Sequence, residues 1–109
     1  MQWNLICKQS DLVADAGVAA MVGDNQVALF YVPDAPEKVF AIGNWDPIGK
    51  ANVLSRGLVT HLHGQWSVAS PLYKQHYSLV DGQCVEQEAQ VPAWPTKLVD
   101  GKVYIRQPN

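Results

Sequence analysis

The chain is poor in charge. Asp, Glu, Lys and Arg make up 17% of its 109 residues, and the net charge is −2. There is no basic surplus to meet a phosphate backbone, which argues against a nucleic-acid-binding protein. Long apolar runs are missing too. The densest, residues 27–32 (VALFYV), is far shorter than the ~20 residues that a spanning helix needs. The opening MQWNLICKQS has no basic start followed by an apolar stretch, so no targeting segment is expected. Cysteine is scarce: Cys7 and Cys84 stand far apart. Two cysteines without an export signal are expected to be reduced thiols, which places the chain in the cytoplasm. No window of 11 or more residues keeps helical apolar spacing, which excludes a long amphipathic helix. Gly-x-Gly-x-x-Gly and Walker loops are absent, and no Gly-x-Ser-x-Gly elbow occurs, so neither a nucleotide site nor an α/β-hydrolase nucleophile is signalled.

What is present is apolar content of 48%, with 8 Gly and 7 Pro spread along the chain. That composition predicts one packed domain over residues 1–109, burying about 65% of its unfolded surface. Residues 3–7 (WNLIC) are expected as a first strand, followed by a turn at Ser10-Asp11-Leu12 with Ser10 as its cap. Residues 17–22 and 26–32 form a predicted hairpin around Gly23-Asp24-Asn25. Apolar residues of both parities in 26–32 predict a strand covered on both faces. Two prolines make 33–38 a loop, and β character resumes at 39–42. Residues 43–57 are expected as a long irregular loop, of the kind that usually serves function. Three further hairpins are predicted: 58–62 with 65–69 around His63-Gly64, 77–80 with 83–85 around Asp81-Gly82, and 97–99 with 102–105 around Asp100-Gly101. A second loop covers 70–75, Pro92 and Pro95 bracket Trp94, and 107–109 are expected to fray. The fold class is therefore all-β, a short-strand antiparallel sandwich or open barrel.

Chemistry is harder to assemble. His61 and His63 would share one strand face and begin a metal site with His76 or Cys84, but nothing forces four ligands together. Asp46, Ser70 and a histidine would make a hydrolytic set only if geometry joined them, and Asp46 before proline is more simply a turn residue. Among the tryptophans, Trp66 alternates with Val68 and is expected in the core. Trp45, in the long loop, suits a protein contact; the other reading is that it folds inward with Ile48 and plugs space in the interior.

Two proline loops, Asp46-Pro47-Ile48 and Ser70-Pro71-Leu72-Tyr73, each follow a β-type run. Together with Phe40-Ala41-Ile42-x-Asn44, Trp66-x-Val68-x-Ser70-Pro71, Tyr77-x-Leu79-x-Asp81-Gly82 and Val99-Asp100-Gly101-x-Val103, they resemble the Rieske fold, whose loops offer Cys-Pro-His and Cys-Pro-x-His. Here those four positions hold Asp46, Ile48, Ser70 and Tyr73. The opening Trp-x-x-Ile-Cys-Lys, the run Val53-Leu54-Ser55-Arg56-Gly57-Leu58 and Val68-Ala69-Ser70-Pro71-Leu72-x-Lys74-Gln75 are similar to the small subunits of assimilatory NAD(P)H-dependent nitrite reductases.

That resemblance implies a Rieske-like domain without a cluster or other cofactor of its own. It also implies a large-subunit partner carrying FAD, sirohaem and an iron–sulfur cluster, which reduces nitrite to ammonium. It carries over no catalytic residue. A docking face is expected at Trp45, Asp46, Pro47, Ile48, Leu72 and Tyr73, with Ile48 and Tyr73 filling the vacated frame and Trp45 presented at its tip. A redox or metal-binding module with other ligands stays open as the alternative. However, Cys7 and Cys84 lie off the loops and are followed by Gln9 and Gln87 where histidines would be needed.

Overall fold

A computed structural model describes residues 2–107, Leu62 by its backbone alone. Among the described residues, twelve short strands form four antiparallel sheets. Strand β1 (Gln2–Lys8) pairs with β12 (Lys102–Gln107), which pairs with β11 (Thr96–Val99). Strands β2 (Ala16–Val22), β3 (Asn25–Tyr31) and β4 (Val39–Gly43) form a second sheet, with β10 (Ala93–Trp94) at its edge beside β4. The two-residue strands β5 (Trp45–Asp46) and β6 (Ala51–Asn52) pair with each other. Strands β7 (Leu58–Leu62), β8 (Gln65–Ala69) and β9 (His76–Ser78) complete the set, and none of the sheets closes into a barrel.

The second sheet is the middle layer. In β3, Ala28 and Phe30 face one apolar cluster while Val27 and Leu29 face another; all four are fully buried. In β4 the same alternation sends Phe40 and Ile42 to the first cluster and Val39 and Ala41 to the second. This is the two-faced strand that the mixed parity of residues 26–32 predicts, since successive side chains leave a strand on opposite sides. The first cluster is completed by Leu54, Val68, Tyr77 and Leu79, the second by Val103 and Ile105. The loop-bearing sheet β7–β8–β9 thus packs on one face of the central layer and the sheet that joins the chain's two ends packs on the other.

Several expectations are revised. Asp11, not Ser10, caps the first turn: its carboxylate accepts the Lys8 N–H at 3.0 Å. Residues 43–57 are not irregular throughout, because they contain β5, β6 and a 3-10 turn at Leu54–Arg56. Asn44 organises that return. Its buried side chain donates to Gln26 Oε1 at 2.5 Å and accepts the Ser55 N–H at 2.7 Å. No strand forms at 83–85; only single bridges, Tyr77 to Cys84 and Gln83 to Gln90, hold that segment. Gln107 belongs to β12 and donates to the Val22 carbonyl at 3.3 Å, while Pro108 and Asn109 lie outside the described residues. No helix among the described residues is long and apolar enough to cross a membrane.

Candidate functional site: two proline loops around a buried carboxylate

The two proline loops share one geometry. In the first, Asp46-Pro47-Ile48-Gly49-Lys50, the Lys50 N–H donates to the Asp46 carbonyl at 2.6 Å. In the second, Ser70-Pro71-Leu72-Tyr73-Lys74, the Lys74 N–H donates to the Ser70 carbonyl at 3.0 Å. Both loops end on a lysine in the left-handed region, with φ of 57° at Lys50 and 61° at Lys74. In both, the first side chain accepts the N–H two residues on: Asp46 Oδ1 from Ile48 at 2.9 Å and Ser70 Oγ from Leu72 at 3.3 Å. Such local closure is the usual reason for Asp and Ser to open a turn. Proline at the second place fixes φ and removes a donor that the closure does not use.

Between the loops lies one carboxylate. Asp46 has no exposed surface. It accepts from Ser70 Oγ at 2.5 Å, from Tyr77 Oη at 2.8 Å, from Gln75 Nε2 at 3.0 and 2.9 Å, and from the backbone of Ile48 and Gly49 at 2.9 and 3.1 Å. No cation pairs with it among the described residues, so neutral donors alone compensate a buried charge. Burial pushes its pKa up, but the hydrogen bonds from Ser70, Gly49, Tyr77 and Ile48 outweigh that and hold it below the ordinary value. Tyr77 moves the other way: burial, joined by the neighbouring carboxylate, pushes its hydroxyl up to about 12, so it stays a donor.

A depressed native pKa makes the stability that Asp46 supplies complete above its unfolded value of about 3.9. That contribution is lost as pH falls through the lower native value. Urea unfolding of the wild type and Asp46→Asn at pH 6 and pH 3 is therefore expected to show a stability gap that narrows at pH 3. A gap of the same size at both values would mean that the fold does not shift the carboxyl's pKa, and a gap that widens at pH 3 would mean that the fold raises it.

The structure brings Asp46 and Ser70 into contact but assembles no triad. His76 Nδ1 faces Glu86 at 2.7 Å, and Ser70 Oγ is committed to Asp46. His61 stacks on Trp66 with ring centroids 4.2 Å apart, which leaves Trp66 only half-buried against the first cluster, and His63 occupies the hairpin turn with φ of 53°. Cys7 packs against the second cluster, its thiol pushed up by burial and then by Asp11, while Cys84 is buried in the first.

Of the six residues expected at a docking face, Asp46 is corrected: it is wholly internal and works by holding the loops. Tyr73 is corrected as well. It does not fill the frame but stands 71% exposed. The interior volume is taken by Asp46, Gln75 and Tyr77, while Ile48 packs partly against the first cluster as expected. Trp45 is 49% and Leu72 45% exposed, and Pro47 is half-buried. Trp45 and Pro47 also border an open groove of about 400 Å³ with Trp94, Pro92 and Met21. Sequence reasoning missed Gln75 and Tyr77 as partners of Asp46. No sequence signal marked them, because Lys50 stands four residues from Asp46 and only the fold buries the acid away from it.

The donor set does not fit an iron–sulfur cluster. Asp46 and Ser70 offer hard oxygens already bonded to each other, Ile48 has no donor atom, and Tyr73 points to solvent. Fold and site thus define a Rieske-type domain in which a hydrogen-bonded carboxylate ties the two loops together.

The comparisons agree on the fold. The family model described as "Rieske-like [2Fe-2S] domain" matches residues 2–106. The chain is 45% identical over 106 residues to the nitrite reductase (NADH) small subunit of Escherichia coli, covering 96% of this chain and 97% of that one. A crystal structure of a putative nitrite reductase NADPH small subunit superposes with a TM-score of 0.92 at 42% identity, covering 98% of this chain and all of that one. The nitrite reductase [NAD(P)H] large subunit of Klebsiella oxytoca is 44% identical over 104 residues, 94% of this chain but 11% of that protein. The chain belongs to the Rieske-like domain family and, within it, to the small subunits of NAD(P)H nitrite reductase.

Proposed function

We propose that this chain is the accessory subunit of a cytoplasmic NAD(P)H-dependent nitrite reductase and acts by docking onto a large subunit, not by carrying electrons. FAD, sirohaem and an iron–sulfur cluster reside on that large subunit, which performs the reduction of nitrite to ammonium. The observation that carries the reading is the filled frame: full-length similarity to nitrite reductase small subunits is combined with loops closed on Asp46 in place of ligands. The Klebsiella oxytoca large subunit, which contains a segment similar to this chain, supports association of the two parts. The test is nitrite-dependent NADH oxidation by the cognate large subunit, with and without this chain. Addition is expected to raise the rate or the lifetime of the activity; no change in either would sink the proposal.

The docking face is the tip presented by Trp45, Pro47, Ile48, Leu72 and Tyr73. Exposed aromatics on a hydrogen-bonded support are the residues from which interface hot spots are made. Trp45→Asp and Tyr73→Asp are each expected to weaken binding to the large subunit by about 10- to 100-fold in titrations, with little change in melting temperature because both side chains are exposed. Unchanged affinity in both variants would move the interface elsewhere.

A further inference from the structure

Charge is unevenly distributed over the fold. Between residues 39 and 80 the only Asp or Glu is Asp46, which is buried, whereas Lys50, Arg56 and Lys74 are all exposed. The other nine acids lie outside that segment; two of them reach the loop end in space, Asp24 at the Trp45 groove and Glu86 on His76. Three exposed cations thus face two exposed acids there, and the loop end stays positive on balance in a chain of net charge −2. Two of these cations end the equivalent closures of the proline loops. The third, Arg56, ends the 3-10 turn whose Leu54 is anchored by the Asn44 carbonyl. All three are set by backbone geometry.

Arg56 and Lys74 border a cavity of about 360 Å³ together with Leu58, Thr60, Pro71 and His76. His76 already holds a carboxylate, that of Glu86. Arg56 and Lys74 have no ion-pair partner among the described residues. Leu58, 71% exposed, and Pro71 supply apolar walls. The pocket therefore combines aliphatic walls with two unpaired cations, which matches a Glu or Asp side chain: methylene carbons against Leu58 and Pro71, carboxylate against Arg56 and Lys74.

We propose that this pocket receives an acidic side chain of the large subunit and that the positive loop end meets a carboxylate-rich surface there. This rests on the proposed association with a large subunit. Complementary charge of this kind sets register and accelerates encounter, and it makes binding salt-sensitive.

The experiment measures affinity of the full chain for the large subunit at 50 and 500 mM NaCl. Variants are Arg56→Glu/Lys74→Glu, the neutral pair Arg56→Gln/Lys74→Asn, and Lys97→Glu/Lys102→Glu on the distant β11–β12 hairpin. Circular dichroism melts check that each folds. The wild type is expected to bind at least about tenfold more weakly at high salt, the charge-reversed pocket variant at least about tenfold more weakly at low salt with most salt dependence gone, and the neutral pair in between. The distant variant should stay within about twofold of wild type. If the wild type binds but the pocket variants match it in affinity and salt slope, the pocket proposal fails and the subunit reading stands. Stronger weakening by Lys97→Glu/Lys102→Glu would likewise move the acidic contact off the loop end. If the wild type does not bind at all, the subunit reading itself fails.

Discussion

Asp46→Ala is expected to lower the unfolding free energy by about 3–5 kcal/mol. The substitution removes the acceptor shared by the Ser70 and Tyr77 hydroxyls, the Gln75 amide and the Ile48 and Gly49 N–H groups. Each buried donor left without a partner costs about 1–3 kcal/mol. Five such costs do not add. The hydroxyls can turn toward other acceptors, and water will enter the space left between the loops. The surviving loss still exceeds that of an ordinary surface change, because the two backbone donors cannot rotate. For a domain of this size it corresponds to a fall in melting temperature of about 15–25 °C. Urea titration should show a lower midpoint with an unchanged slope if the variant remains two-state. Asp46→Asn, which keeps one acceptor oxygen, should fall between alanine and wild type. A loss under about 1 kcal/mol for alanine would show that the loops hold their shape without the carboxylate. Because Ile48 and Leu72 are aligned by these closures, weaker binding to the large subunit is expected to accompany the lost stability.

The parts of this fold that were legible in the sequence are those governed by local rules. The hairpin at residues 58–69 falls where His63-Gly64 places it, with both turn residues at positive φ, and Asp100-Gly101 does the same near the chain's end. The buried middle layer was visible in the unbroken apolar run of β3. The loop frame was visible through the resemblance, which identified the residues at the four vacated positions. Their orientations were not legible, because they follow from contacts across 24 to 31 residues of sequence. Asp46 meets Ser70 and Tyr77 only after β5 and the β8–β9 sheet have been brought together by Leu54 and Val68 in the first cluster. Tyr73 looked like a filler because it stands at a ligand position. It is turned outward because Gln75 and Tyr77, on the far side of the same loop, reach the interior first. The matching closures at Lys50 and Lys74 were also hidden, since Ile48-Gly49 and Leu72-Tyr73 share no obvious pattern and only the backbone reveals the common turn.

Gly82→Ala is expected to be as damaging as the loss of Asp46, for a different reason, and Gly101→Ala gives the measure of that difference. Both glycines follow an aspartate in a turn and both have positive φ, 77° at Gly82 and 74° at Gly101. A Cβ at Gly101 would meet nothing within 4 Å, so its alanine variant should lose only the left-handed backbone penalty, about 1–2 kcal/mol. A Cβ at Gly82 would lie 2.0 Å from the Val91 carbonyl oxygen and 2.9 Å from its carbonyl carbon. Those are backbone atoms and cannot swing aside. Val91 is held against Gly82 by its own N–H, which donates to the Gly82 carbonyl at 3.0 Å, and its side chain is buried in the first cluster. Relieving the clash means moving the 83–92 segment outward, breaking that hydrogen bond and uncovering apolar surface, so a total of about 3–5 kcal/mol is expected. The disturbance should also reach the Trp45 groove. Pro92 lines it, and the Pro92 carbonyl accepts the Gly43 N–H at 2.8 Å, one residue before Asn44 begins the first loop's return. Parallel urea titrations of the two variants decide the point: equal losses would mean that only the dihedral matters, whereas a gap of about 2 kcal/mol or more assigns the Asp-Gly turn at 81–82 to close chain packing instead of hairpin formation.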